Sequence, residues 1–183
     1  MGGVEKGLQP FGNSTLVGHA LERLQEQACE VWVSANRHMD QYLALGCRVI
    51  PDKIAGHPGP LAGLHAGLTQ ISTEWLVCVP CDAPWFPEDL VVQLAGAAAG
   101  GGCLAAVACS PAVDGSAVLQ PTFCLVHRTL RTSIEAFLHA GQHKAGLWLD
   151  SVAAARVVFA PSGHVDPFAN LNTLEELAKA RKS

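Results

Sequence analysis

Three acidic or basic side chains and a scatter of glycines and amides carry most of the chemical potential of this chain. Asp82 closes the run WLVCVPCD, an apolar stretch read as a strand covered on both faces, and is followed by Ala-Pro rather than by a helix. A carboxylate held at such a tip faces whatever lies beyond the sheet. Few hard oxygen ligands, completed by substrate phosphates, are the usual means of holding Mg²⁺. The plainer reading, an Asp that caps its own turn, stands beside it. Lys6 lies in MGGVEKGL, where Met1-Gly2-Gly3 and Lys6-Gly7 look like the second half of a phosphate-cradling loop, although no Walker-type GxxxxGK[ST] occurs anywhere. Ser34 and Asn36 follow one candidate strand, Asp52 follows another, and Asn170 and Asn172 alternate on FANLNT, where two amides on an extended segment point the same way.

Other chemistries fare worse. Cys78 and Cys81 form a CxxC, but a redox site wants its first cysteine at a helix N-terminus, and here Cys78 lies inside the strand while Pro84 and Pro87 interrupt any following helix. Zinc would need two further ligands, and the eight histidines show no HExxH-like spacing. There is no GxSxG elbow for a serine nucleophile.

The elements that must position these groups are legible from periodicity. Leu16, Val17, Ala20, Leu21, Leu24 and Ala28 fall on one helical stripe with Asn13 or Ser14 as N-cap. EVWVSAN is a strand, MDQYLALG a short helix stopped by Gly46, and CRVIPD another strand. KIAGHPGPLAG leads into a helix through Leu61, Leu64, Leu68 and Ile71, with Pro60 in its first turn. After WLVCVPCD come a Pro87-led helix to about Ala99, the strand CLAAVACS, a turn over Pro111 to Ser116 and PTFCLVH returning antiparallel. TLRTSIEAFLHAG, LWLDSV and TLEELAKARK are helices, and ARVVFA is a strand. Alternation at this spacing predicts an α/β fold with a mostly parallel sheet. Ligands of such sheets bind beyond the carboxyl ends of the strands, where Ser34, Asn36, Asp52 and Asp82 fall.

Composition sets the frame. The 183 residues, 49% apolar and 15% charged, fit one domain spanning 1–183. A formal charge of −4, with basic residues concentrated only at Lys179, Arg181 and Lys182, weighs against duplex nucleic acid as a partner. No apolar run reaches the roughly 20 residues of a membrane span, and no signal peptide opens the chain. Seven cysteines scattered through apolar stretches read as reduced core residues of a cytoplasmic protein.

Taken in order, MGGVEKGL, SANRH, VIPD, PGPLAG, VPCDAPWFP, QPTFCLV and FANLNT resemble the molybdenum cofactor guanylyltransferase family over essentially the whole chain. That family opens with a motif like LAGGxxxRMGGxDKGL and carries PCDxPxxP centrally. The resemblance implies a Rossmann-like nucleotidyltransferase fold of three layers. It also implies transfer of GMP from GTP to molybdenum-bound molybdopterin, giving the guanine dinucleotide cofactor and pyrophosphate. Lys6 matches the lysine that binds the nucleotide phosphates, and Asp82 the Mg²⁺ ligand. Gly3, Ser34, Asn36, Asp52, Gly59 and Gly63 fall on the GTP side, with Lys144, Asn170 and Asn172 on the pterin side. Partners implied are GTP, molybdenum-molybdopterin, other proteins of cofactor biosynthesis and molybdoenzyme chaperones. Two departures stand out: Ser34 replaces an asparagine of some members, and Lys144 replaces a frequent arginine, losing its bidentate fork. The family's first strand, its LAGG turn and the following arginine have no counterpart here, so the sheet is expected to lack its first central strand. The expectation drawn from this is a polypeptide that begins upstream of Met1. Alternatives to GTP transfer are a CTP- or sugar-phosphate-specific transferase, and a non-catalytic homologue that keeps the pterin surface.

Overall fold

A computed structural model describes residues 5–51, 59–112, 114–161 and 166–171. The chain opens with a small antiparallel hairpin, β1 (Pro10–Phe11) and β2 (Ser14–Thr15), that feeds directly into α1 (Leu16–Gln25). Thr15 is the N-cap of α1, in place of the expected Asn13 or Ser14. Its hydroxyl accepts from the Gly18 amide at 3.1 Å, because Ser14 and Thr15 are already extended in the hairpin and only Thr15 stands next to the first helical turn. The predicted stripe holds from Leu16 to Leu24, all buried, whereas the helix ends before Ala28.

β3 (Trp32–Ser34), α2 (Met39–Leu43) and β4 (Arg48–Ile50) form a parallel βαβ unit, and Gly46 turns the chain after α2 with φ of 79°. α3 (Pro60–Gln70) starts on Pro60, whose missing amide hydrogen costs nothing at that position. β5 (Trp75–Cys78) follows, then α4 (Leu90–Gly101), which begins at Leu90 after Pro87, three residues later than the sequence suggests, and closes on left-handed Gly102. β6 (Ala105–Pro111) and β7 (Ala117–His127) make the long hairpin. α5 (Arg131–His139), α6 (Ala145–Ser151) and β8 (Ala155–Val158) complete the described elements. The expected last helix, TLEELAKARK, lies outside the described residues.

The main sheet has the order β5-β7-β6-β8, with β7 antiparallel to both neighbours and β6 parallel to β8. The sheet is therefore mixed, with β7 as its reversed strand, as PTFCLVH predicts. Where the register between β6 and β7 slips, after Val107, Pro121 of β7 falls in the irregularity, a position that does not need its missing N–H. Strand periodicity then divides the core. Ala106, Ala108, Phe123 and Leu125 face α1 and α4, while Ala105, Val107, Cys124 and Val126 face α3, α5 and α6. The result is three layers, helix, sheet and helix.

Among the described residues β3-β4 is a separate two-stranded sheet, hydrogen-bonded to neither edge of the main one. The division falls between β3 and β5.

Candidate active site

The loop before β1 is pinned from several sides. The first amides of α1, orphaned by helix geometry, find partners in it: Leu16 N–H donates to the Gln9 carbonyl at 3.1 Å and Val17 N–H to the Gly7 carbonyl at 2.9 Å. Gln9 N–H in turn donates to the Lys6 carbonyl at 3.0 Å. Tyr42, buried on α2, donates its hydroxyl to Glu5 Oε1 at 2.9 Å. Burial, reinforced by that hydrogen bond, pushes the phenol's ionisation well above its ordinary range, so the hydroxyl stays a donor. Gly7 is buried with no room for a side chain: a Cβ there would sit 3.0 Å from Cys81 Sγ and 3.1 Å from the Tyr42 hydroxyl oxygen.

On the facing side, β5 ends in Cys78 and the chain runs through Val79, Pro80 and Cys81 to Asp82. Ala83 and Phe86 are fully buried beyond it, and the Asp82 carbonyl accepts from Leu171 N–H at 2.9 Å. The strand tip is thus rigid on both sides of the carboxylate. Lys6 Nζ stands 3.8 Å from Asp82 Oδ2, the lysine partly exposed and the aspartate mostly covered. The described residues hold no cluster of three or more His, Cys, Asp or Glu side chains suited to a metal. One carboxylate backed by an ammonium group is a sparse donor set, fitting an ion that keeps its waters and takes its remaining ligands from phosphate.

Lys6 and Asp82 line a cavity of about 860 Å³ whose walls also include Ser34, Gly59 and Gly63. Gly59, the residue before α3, has φ of 138°, which only glycine adopts without strain, and it keeps that part of the wall free of side chain. Ser34 is shared with an adjoining pocket of about 300 Å³ that adds Asn36, Arg37 and Tyr42.

The chain matches the MobA-like NTP transferase domain over residues 1–157. Molybdenum cofactor guanylyltransferase from Cupriavidus pinatubonensis is 40% identical over 177 residues, covering 97% of this chain and 87% of that protein. The enzyme of the same name from Acidovorax ebreus is 44% identical over 184 residues, with the same coverage. This chain belongs to the molybdenum cofactor guanylyltransferase family. It is accordingly a nucleotidyltransferase of molybdenum cofactor biosynthesis. Its fold is shared with molybdopterin-guanine dinucleotide biosynthesis protein A from Archaeoglobus fulgidus, TM-score 0.70 and 19% identity over 98% of this chain and 90% of that one. It is shared equally with 2-C-methyl-D-erythritol 4-phosphate cytidylyltransferase from Thermus thermophilus, TM-score 0.73 and 17% identity over 97% and 92%.

Of the residues expected at a guanylyltransferase site, Lys6, Ser34, Gly59, Gly63 and Asp82 share one cavity and Asn36 its neighbour. Asn170 is exposed beside Leu171, whose amide bonds Asp82, so it is brought to the same end of the sheet. Phe168 fixes that segment by burying its ring 4.7 Å from Phe123 and 5.5 Å from Phe159. Lys144 is exposed at the start of α6 and lines neither pocket. Gly3, Asp52 and Asn172 lie outside the described residues. The CxxC thiols are free, and burial pushes both Cys78 and Cys81 up to about 11, leaving them protonated and unreactive at neutral pH. Tyr42, Phe168 and Leu171 escape sequence reasoning, since each acts through a contact made far along the chain. Among the described residues no helix is long and apolar enough to cross a membrane.

Proposed function

We propose that this chain transfers GMP from GTP to the phosphate of molybdenum-bound molybdopterin, releasing pyrophosphate. The observation that carries the reading is the juxtaposition of Lys6 and Asp82 in the wall of the cavity, on loops that backbone hydrogen bonds and packing hold. The attacking group is already an anion, so the site needs alignment and charge neutralisation more than a general base. Lys6 supplies positive charge to the triphosphate and to the departing pyrophosphate. Asp82 would hold Mg²⁺, which when bound neutralises phosphate charge and orients it. In the absence of phosphate the ammonium and the carboxylate face one another; nucleotide entry exchanges that pair for two phosphate-directed contacts. Gly59 and Gly63 let the nucleotide approach the backbone of α3 and its leading turn. Ser34 and Asn36 offer polar groups to ribose or base, and Asn170 lies on the side assigned to the pterin.

Pyrophosphate release tests the reading. It should require GTP, molybdenum-molybdopterin and Mg²⁺ together, and Asp82→Asn should lower kcat/KM by about 10²-fold or more while leaving the fold intact. Release without the pterin acceptor, or an unimpaired Asp82→Asn enzyme, would overturn it. The likeness in fold to a cytidylyltransferase makes CTP the competitor to include. Faster turnover of CTP than GTP would reassign the base.

A further inference from the structure

The smaller pocket, of about 300 Å³, is continuous in its walls with the larger cavity. Glu5, Val33, Ser34 and Cys81 line both, and Glu5 and Cys81 are the residues immediately before Lys6 and Asp82. A nucleotide with its phosphates on that pair has this pocket within reach of its base. Part of the wall is apolar, supplied by Val33, Ala35 and Cys81. Such a surface suits a flat heterocycle better than the hydroxyls of a sugar.

Beside the apolar wall stands a carboxylate that takes no part in the phosphate chemistry. Glu5 Oε1 accepts from the Tyr42 hydroxyl at 2.9 Å, and the phenol, kept protonated by burial, holds Glu5 in the role of acceptor. Glu5 makes no ion pair among the described residues. An ionised carboxylate has about four lone-pair sites, so one hydrogen bond leaves both oxygens able to accept more. Among the common bases, guanine alone sets two donors side by side on its pairing edge, N1–H and the 2-amino group. Cytosine, adenine and uracil each offer one donor there next to an acceptor, which a carboxylate repels. Arg37 lines the same pocket and carries donors suited to guanine O6 and N7.

We propose that Glu5, held by Tyr42, is the residue that selects guanine: its carboxylate accepts from N1–H and the 2-amino group of the base, with Arg37 on the O6 side. The inference rests on the nucleotide transfer proposed above and names the determinant of its base. A carboxylate can also grip the two hydroxyls of a ribose, which every nucleotide carries. That arrangement gives no preference among bases, and the apolar share of the wall speaks against it.

The test titrates GTP, ITP, XTP and CTP in Mg²⁺, without acceptor, into the full chain and into Glu5→Gln, an isosteric change that keeps an acceptor for Tyr42. The unaltered chain should bind GTP about tenfold or more tighter than CTP and than ITP, which lacks the 2-amino group. XTP has a carbonyl at that position, which the carboxylate repels and a glutamine amide can serve as donor. Glu5→Gln should therefore lower the preference for GTP over XTP about tenfold or more. Tyr42→Phe leaves the carboxylate in place but unheld and should lower it by a smaller factor, with melting curves to show that each variant folds. Unchanged preferences in a folded Glu5→Gln overturn the proposal, as does an equal loss of all these nucleotides, which would move Glu5 to the ribose. Equal binding of GTP and ITP by the unaltered chain overturns it whether or not the variants fold. Normal GTP binding without transfer to the pterin counts only against the proposed reaction, and no binding of any nucleotide counts against both.

Discussion

Gly7→Ala probes how Lys6, proposed to bind phosphate, is held. The added Cβ would lie 3.0 Å from Cys81 Sγ, 3.1 Å from the Tyr42 hydroxyl and 3.2 Å from Cys81 Cβ. Ordinary carbon contacts begin near 3.5 Å, so the loop must retreat by about 0.5 Å. Tyr42 and Cys81 cannot easily yield instead: Tyr42 is buried and tied to Glu5, and Cys81 belongs to the rigid turn before Asp82. Overpacking of this kind costs about 1–3 kcal/mol of stability. Lys6 is the preceding residue, and because a displacement of about 1 Å in a reacting constellation can cost about 10²-fold, half of it should lower kcat/KM about tenfold. Pyrophosphate release together with thermal melting gives both quantities. Cys81→Ala in the same chain removes the 3.0 Å sulfur contact but leaves Cβ at 3.2 Å, so it should restore activity only in part, as positive coupling in a double-mutant cycle. Wild-type kcat/KM in Gly7→Ala would refute the reasoning, as it would show that this packing does not set the position of Lys6.

Two further outcomes are expected. Lys6→Ala should lose about 10²–10³-fold in kcat/KM yet change stability by no more than about 1 kcal/mol, because its ion pair with Asp82 is partly exposed; calorimetric GTP binding and melting separate the two, and an unfolded variant would make the lysine structural. Cys78 and Cys81 are held protonated by burial, with values of about 11 against an unfolded value near 9. Since the folded state then binds more protons between those limits, the contribution of these two thiols to stability should be constant below about pH 9 and fall as pH rises from about 9 to 11. Chemical denaturation across that range checks it, and Cys78→Ala should flatten the fall.

Much of the scaffold was readable because it rests on local patterns. The continuous apolar run of WLVCVPCD marks a strand covered on both faces, and Pro60 and Gly46 punctuate helices as their backbone chemistry requires. The α1 boundary misleads because three candidate caps stand in a row and the choice among them depends on the β1-β2 hairpin, whose two-residue strands are too short for any periodicity. The start of α4 is displaced for a related reason: Pro87 suits a first helical turn, but the chain through Pro84 and Phe86 is drawn into the core before the helix can begin. At the site, the proposal for Asp82 rests on a signal that the sequence carries, its place at the tip of an apolar strand, and that for Lys6 on the motif order. What fixes them is not legible, since Tyr42 to Glu5 and Leu171 to Asp82 are pairings across the fold with no local signature. Lys144, placed on the pterin side by the resemblance alone, stands outside both pockets.

The proposed mechanism needs a divalent ion on the Asp82 carboxylate opposite Lys6, between the phosphates of two substrates. Crystals soaked with GTP and Mn²⁺, an anomalous scatterer that takes the place of Mg²⁺, test it directly. An anomalous peak about 2.0–2.3 Å from an Asp82 carboxylate oxygen, with Lys6 turned to the triphosphate, is the predicted result. A well-ordered nucleotide with its ion bound elsewhere and Lys6 still facing Asp82 would contradict it.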